Sequence, residues 1–247
     1  MLTAFRQMKR DGRKIVAVVL YDYQMAQLAD AAGVDIVSAG DSVGVTMWGR
    51  ASEREVSVDE MLLVCRAVRR GVTRALVSCD APLISLERGR DGAVAAARRL
   101  VAEGGADLVK VDSTASSLDG IRAIADSGIP VWAQFGAAVE REPAAVERLV
   151  AHAQHLERAG ASLLDFRHSG PAAGAAVVAA VSIPVIGGLG GGPWLDGRVR
   201  SLAAALGYVA APEAGAKPRY ADIAATARDA IAALCDDVRA GRPLRGE

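Results

Sequence analysis

Ala102-Glu103-Gly104-Gly105-Ala106-Asp107-Leu108-Val109 decides the fold: a helical run stops on glycine, and an apolar, β-prone run begins at once. The same junction recurs as Ala31-Ala32-Gly33-Val34-Asp35-Ile36-Val37, as Asp126-Ser127-Gly128-Ile129-Pro130-Val131 and as Arg158-Ala159-Gly160-Ala161-Ser162-Leu163-Leu164. Glycine at a helix C-cap followed directly by a strand is the helix-to-strand connection of an alternating fold. Outward from these junctions, strands are expected at 14–20, 34–39, 75–79, 106–111, 130–135, 162–167 and 183–187, with an eighth at 207–211. Each is nearly all apolar rather than alternating, as parallel strands covered on both faces are. Helices are expected between them at 23–32, 57–70, 92–103, 117–127, 143–159 and 171–180, and a last one at 220–240. The first fourteen residues are amphipathic and charged.

About eight such units make either a closed (β/α)8 barrel or a doubly wound open sheet. The open sheet normally carries G-x-G-x-x-G after its first strand. Here the first strand leads into Tyr21-Asp22-Tyr23, and the glycine-rich run Gly187-Gly188-Leu189-Gly190-Gly191-Gly192 follows a late one. Late glycine-rich loops of barrels often hold anionic groups. The expectation is therefore an α/β protein, a (β/α)8 TIM barrel in a single domain over 1–247, with an N-terminal and a C-terminal helix. No Pro/Ser-rich linker interrupts the series.

Of 247 residues, 29 are Lys or Arg and 29 are Asp or Glu, so the net charge is zero. A nucleic-acid partner, which needs a basic surplus, is not expected. Aromatic residues are 4% of the chain, too few for a base-stacking platform. The uncharged part of 169–195 is broken by Pro171, Pro184 and Pro193 and by glycines, so no membrane span is expected. Cys65, Cys79 and Cys235 are scattered without metal-ligand spacing, which suggests reduced thiols and a cytoplasmic setting.

In a parallel barrel, reacting groups stand at the C-terminal ends of strands. The second strand ends in Gly40-Asp41-Ser42-Val43-Gly44, the third in Cys79-Asp80-Ala81-Pro82 and the fourth in Lys110-Val111-Asp112. Asp41, Asp80 and Asp112 thus reach one rim from successive strands. Like charges brought together call for a cation between them, and an all-oxygen ligand set suits Mg²⁺. Lys110 lies two residues before Asp112, so both point the same way and the lysine is placed for a substrate anion. Taken singly, each Asp is equally explained as a helix cap.

The run Tyr21-Asp22-Tyr23, Gly33-Val34-Asp35, Gly40-Asp41-Ser42-Val43-Gly44, with Val58-Asp59-Glu60-Met61, Ile183-Pro184-Val185-Ile186-Gly187 and Lys217-Pro218-Arg219-Tyr220, resembles the ketopantoate hydroxymethyltransferase family. That family belongs to the phosphoenolpyruvate mutase and isocitrate lyase superfamily of barrels. The resemblance implies a Mg²⁺-dependent transfer of a one-carbon unit from 5,10-methylenetetrahydrofolate to a branched 2-oxo acid. It also implies a homo-oligomer, a decamer of two pentameric rings. By the resemblance, Asp41 and Asp80 carry the metal, Asp112 stands where the family has Glu, and Ser42 and Lys110 hold the 2-oxo acid.

Other positions depart from the family. Gln134 stands where the family has His, Arg167 where it has the general-base Glu, and Ile84 where it has Gly; the stretch after the fifth strand is shortened. Arginine cannot be deprotonated at working pH and cannot serve as that base. Asp165, two residues before Arg167 and on its face, and His168, which begins the next loop, are the replacement candidates; His168 is equally an exposed loop histidine. Alternatively the chemistry has changed, and Arg167 binds a second carboxylate or a phosphonate in another C–C bond-forming or -cleaving reaction. A non-enzymatic barrel that supports an active paralogue is a third reading. His152 and His155, three apart on a helix, have ligand spacing but no third ligand nearby. Asp22 reads as a second-sphere group or helix cap, Trp48 as part of a lid or a packing anchor, and Cys79 as core.

Overall fold

The computed structural model describes residues 2–113, 118–136, 143–188, 191–209, 219–244 and 246. Leu189, Gly190, Ala210, Ala211, Lys217, Pro218 and the stretch 137–142 after the fifth strand lie outside the described residues. Eight parallel strands close into a barrel in the order β1 to β8. They are β1 (Ile15–Leu20), β2 (Ile36–Ala39), β3 (Leu76–Asp80), β4 (Leu108–Asp112), β5 (Val131–Phe135), β6 (Ala161–Phe166), β7 (Val185–Gly187) and β8 (Gly197–Ser201). Intervening helices include α2 (Tyr23–Ala32), α4 (Val58–Gly71), α6 (Gly89–Ala102), α7 (Leu118–Asp126), α8 (Pro143–Arg158) and α9 (Pro171–Ala180). Short helices α3 (Val43–Thr46) and α5 (Leu83–Leu86) occupy the loops after β2 and β3.

Local chemistry sets the boundaries. Asp22 caps α2 by accepting the Met25 N–H, and Gly33 ends it at φ 95°. Ser57 and Glu60 form a reciprocal capping box at the start of α4. Seven expected strands are found within two residues of their expected starts. The eighth is corrected: 207–209 do not form a strand. Gly207 is the left-handed cap of the helix α10 (Leu202–Leu206), and β8 lies earlier, pairing Gly197 with Ile186 and Arg198 with Gly187. Gly197-Arg198-Val199-Arg200-Ser201 carries two arginines and so lacks the apolar signature of the other strands. The Ile15 N–H bonds to the Asp196 carbonyl at 2.9 Å, which joins β1 to the β8 edge. Gly197 is required there: a Cβ would stand 2.1 Å from the Ile15 carbonyl oxygen.

The chain divides into two compact units, Met1–Arg200 and Ser201–Glu247. In the second, Ser201 caps α10, and Asp222 caps α11 (Ile223–Arg239) by accepting the Ala225 N–H. Among the described residues, no helix is long and apolar enough to cross a membrane.

The barrel interior changes character along its length. Toward the N-terminal ends of the strands, Ala17, Ile36, Leu76, Leu108, Trp132, Leu163 and Ile186 form one apolar cluster, joined by Phe5 and Met8 of α1 (Leu2–Arg10). One period-two step further along, the same faces carry Ser38, Ser78, Lys110, Gln134 and Asp165, and a further step brings Asp80 and Asp112. At the N-terminal rim, aspartates bind backbone. Asp35 accepts the Val16 N–H, Asp107 the Val77 N–H and Asp196 the Val185 N–H, each at 2.8 Å. Asp30 accepts from the Thr73 hydroxyl and from the N–H groups of Thr73, Arg74 and Ala75.

Candidate active site

The polar end of the interior holds the site. Asp80 is the last residue of β3, and its Oδ1 accepts from Ser38 Oγ of β2 at 3.3 Å. Asp41 follows β2, and its backbone N–H also bonds Asp80. Gly40 makes this turn possible. A Cβ there would meet Val19 Cγ1 at 2.4 Å and Ser42 Oγ at 3.1 Å, with Asp80 Oδ2 only 3.7 Å away. Ser42 Oγ is 3.0 Å from the hydroxyl of Tyr21, a buried residue that also reaches Thr46 at 3.4 Å.

Lys110 enters from β4 and is 8% exposed. Its Nζ stands 3.2 Å from Asp165 Oδ2 of β6 and 5.1 Å from the centre of the Trp132 ring on the intervening β5. Asp165 is 2% exposed, and its other oxygen accepts the Gly188 N–H at 3.2 Å.

Electrostatics follow from burial and like charge. Burial, then the Asp80 carboxylate, and more weakly Glu53, push Asp41 up to about 7, against the pull of Lys110 and the Ser42 N–H. Burial also raises Asp80, with Asp165 adding to the shift, while Lys110, the Asp41 N–H and Ser38 oppose it. Burial alone would lower Lys110, yet the charges of Asp80, Asp165 and Asp41 outweigh it and hold the ammonium above its ordinary range.

The expected trio of carboxylates is not assembled as a trio. Among the described residues, no group of three or more His, Cys, Asp or Glu side chains is placed to hold a metal ion. Asp41 and Asp80 converge, whereas Asp112 Oδ2 accepts from Gln134 Nε2 at 2.9 Å, because the two residues are register partners on β4 and β5. Two half-buried carboxylates, both with raised proton affinity and one of them raised by the other's charge, nonetheless fit a hard divalent cation. Mg²⁺ is commonly held by one or two carboxylates, with waters and substrate oxygens completing its shell.

The remaining candidates separate. Arg167 is half-buried just beyond β6, with its N–H bonded to the Phe135 carbonyl at 2.9 Å. His168 is exposed and holds φ 55°. His152 packs edge-on against Phe135, and its pKa is lowered by burial and by His155. Trp48 is exposed, with Arg50 5.0 Å from its ring centre, and Ile84 is exposed on α5. Cys79 is fully buried, with its thiol pushed up by burial and by Cys65. Asp22 serves as a helix cap. Sequence reasoning did not pick out Ser38, Tyr21 as a partner of Ser42, Gly40 or Glu53. The period-two step that linked Lys110 to Asp112 finds Ser38 when it is taken back from Gly40.

Comparison with known proteins adds a family. A model of the family described as ketopantoate hydroxymethyltransferase matches residues 1–243. A 3-methyl-2-oxobutanoate hydroxymethyltransferase of Geobacillus kaustophilus is 34% identical over 249 residues, covering 96% of this chain and 89% of that protein. One from Hyperthermus butylicus is 36% identical over 246 residues, covering 95% and 84%. Among solved structures, 2,3-dimethylmalate lyase, a PEP mutase/isocitrate lyase superfamily member, aligns with TM-score 0.67 at 18% identity, covering 96% of this chain and 88% of that one. A phosphonopyruvate hydrolase aligns with TM-score 0.61 at 15% identity, covering 98% and 88%.

Proposed function

This chain belongs to the ketopantoate hydroxymethyltransferase family, and from that premise we propose that it transfers a hydroxymethyl group to a branched 2-oxo acid at the Asp41–Asp80–Lys110 end of its barrel. The observation that carries this reading is the convergence of two half-buried carboxylates beside a buried lysine at the C-terminal ends of adjacent strands. Asp41 and Asp80 would hold Mg²⁺, which when bound supplies a Lewis acid that makes the carbon beside the ketone acidic. Lys110, desolvated and positively charged, pairs with the substrate carboxylate. Ser42, aligned by Tyr21, donates a hydrogen bond to the same acid. Gly40 lets the turn after β2 pack against Val19 and so brings Asp41 and Ser42 beside Asp80.

The donor in this reading is 5,10-methylenetetrahydrofolate. The C3–H bond of the acid breaks and C3 bonds to the methylene carbon. That carbon leaves both folate nitrogens and takes a water-derived hydroxyl, releasing tetrahydrofolate. Arg167, in the place of the family's base, takes no proton in this scheme. The chain would work as a homo-oligomer, and the exposed Ile231, Leu234 and Val238 of α11 are consistent with burial in an assembly. The free thiols of Cys65, Cys79 and Cys235 accord with a reducing, cytoplasmic setting.

One feature favours a second reading. The half-buried Arg167 guanidinium has no carboxylate partner among the described residues, which suits a substrate with a second acidic group. Proton NMR of 3-methyl-2-oxobutanoate in D₂O with the protein and Mg²⁺ separates the two. Loss of the C3 proton signal supports hydroxymethyl transfer. Absence of exchange there, with turnover of a 2-oxo diacid or a phosphonate instead, supports the second.

A further inference from the structure

Asp165 occupies an unusual place for a general base. Its carboxylate is 2% exposed, and both oxygens are engaged, Oδ2 with Lys110 Nζ at 3.2 Å and Oδ1 with the Gly188 N–H at 3.2 Å. It lies in the barrel lumen, two residues along β6 from Leu163 of the apolar cluster, and it reaches past β5 to a lysine on β4. Alternate strands of a barrel contribute side chains to one layer, and that geometry brings the pair together.

Lys110 is also within electrostatic reach of Asp80 and Asp41. A flexible ammonium among three carboxylates, with nothing to hold it, would settle on the nearest pair and neutralise it. Asp80, on the neighbouring strand and in direct register with Lys110, is the obvious target. Such a collapse would have two consequences. The lysine would be lost to the substrate anion, and the carboxylate would be lost to a cation. The Asp165 ion pair prevents this by drawing Nζ toward β6, while the Trp132 face supports it from β5. The Gly188 bond fixes the carboxylate in turn, and ties it to the loop that follows β7.

We infer that Asp165 is a positioning residue: it holds Lys110 away from the Asp41–Asp80 pair and so keeps both the lysine and the two carboxylates available for the acid and the cation. This inference rests on the assignment of Lys110 and Asp80 given above. It makes Asp165 a support for binding rather than the acceptor of the substrate proton.

Asp165→Asn, which keeps the shape and removes the charge, tests it, with Asp165→Glu as the conservative control. Calorimetry with Mg²⁺ alone should show at least tenfold weaker binding to Asp165→Asn, because the released lysine competes for Asp80. With Mg²⁺ present, the KM for 3-methyl-2-oxobutanoate should rise at least tenfold while kcat falls by less than that. Asp165→Glu should recover part of both. Labelling of Lys110 by acetic anhydride, read by mass spectrometry, should also change in Asp165→Asn. A loss of kcat with unchanged Mg²⁺ and acid binding would make Asp165 the base and overturn the inference. A fall in melting temperature with unchanged binding, KM and labelling would leave it purely structural and overturn it equally. If the wild-type protein neither binds nor turns over the acid, the proposed function fails. The Mg²⁺ and Lys110-labelling comparisons then still decide the role of Asp165.

Discussion

At the N-terminal rim of the barrel, Asp30 is surrounded by donors: the N–H groups of Thr73, Arg74 and Ala75 and the Thr73 hydroxyl. At the C-terminal rim, Asp41 is opposed by a second carboxylate, Asp80, and is helped by one backbone N–H, that of Ser42, and by the charge of Lys110. Burial alone would raise both. At Asp30 the donors more than offset it, and the carboxyl falls to about 2. At Asp41 they do not, and it rises to about 7. The same residue type is thus held charged at one end and pushed toward its protonated form at the other, and the balance of burial, like charge and hydrogen-bond donors decides which. Asp35, Asp107 and Asp196 belong with Asp30, each accepting a backbone N–H of the preceding strand.

The contrast can be broken most sharply at Asp80. Asp80→Asn should cost at least about a hundredfold in hydroxymethyl transfer, the scale of losing a principal electrostatic group. It should leave thermal stability unchanged or raised, since it removes a buried charge facing another. Steady-state kinetics and a melting curve on the same preparation check both. Lower stability together with retained activity would place Asp80 with Asp30.

Asp30→Ala should do the reverse. It leaves several donors without an acceptor in a closed environment and should cost about 2–4 kcal/mol in denaturant unfolding. The kcat/KM of the folded protein should stay at the wild-type value.

The smallest effect lies in pH dependence without added metal. Between 3.8 and about 7 the native protein holds a proton on Asp41 that the unfolded chain releases, so stability should fall as pH rises through that window. Asp30 has the opposite sign: its contribution is present above 3.8 and is lost as pH falls toward about 2. Asp41→Asn should remove the decline toward neutral pH and leave the acid limb in place. A wild-type profile flat from about pH 4 to 7 would show that the two rims differ less than their donors imply.

How much of this was legible beforehand depended on whether the signal was local. Strands β1 to β7 announce themselves as short apolar runs, and glycine junctions mark where β2, β4, β5 and β6 begin. Strand β8 does not, because Arg198 and Arg200 interrupt it and its defining residue, Gly197, is set by closure against Ile15. In the site, Asp41, Asp80 and Lys110 could be found from strand ends and period-two spacing. Asp112 was grouped with them on the same logic, yet its register partner Gln134 takes its carboxylate. The Lys110–Asp165 pair spans 55 residues of chain and a whole intervening strand, so no spacing rule reaches it. Tyr21 is visible in the sequence as part of the Tyr21-Asp22-Tyr23 run, but nothing local shows that its hydroxyl turns toward Ser42.

Phe5 and Met8 sit in the apolar cluster that fills the lower half of the barrel. That packing fills the N-terminal end of the lumen, and Asp41, Asp80 and Lys110 stand at the other. In the proposed reaction the acid would therefore enter and leave at the C-terminal end, and a proton taken from it would have apolar packing rather than solvent on the side of α1. A group that received that proton would then release it toward the C-terminal side.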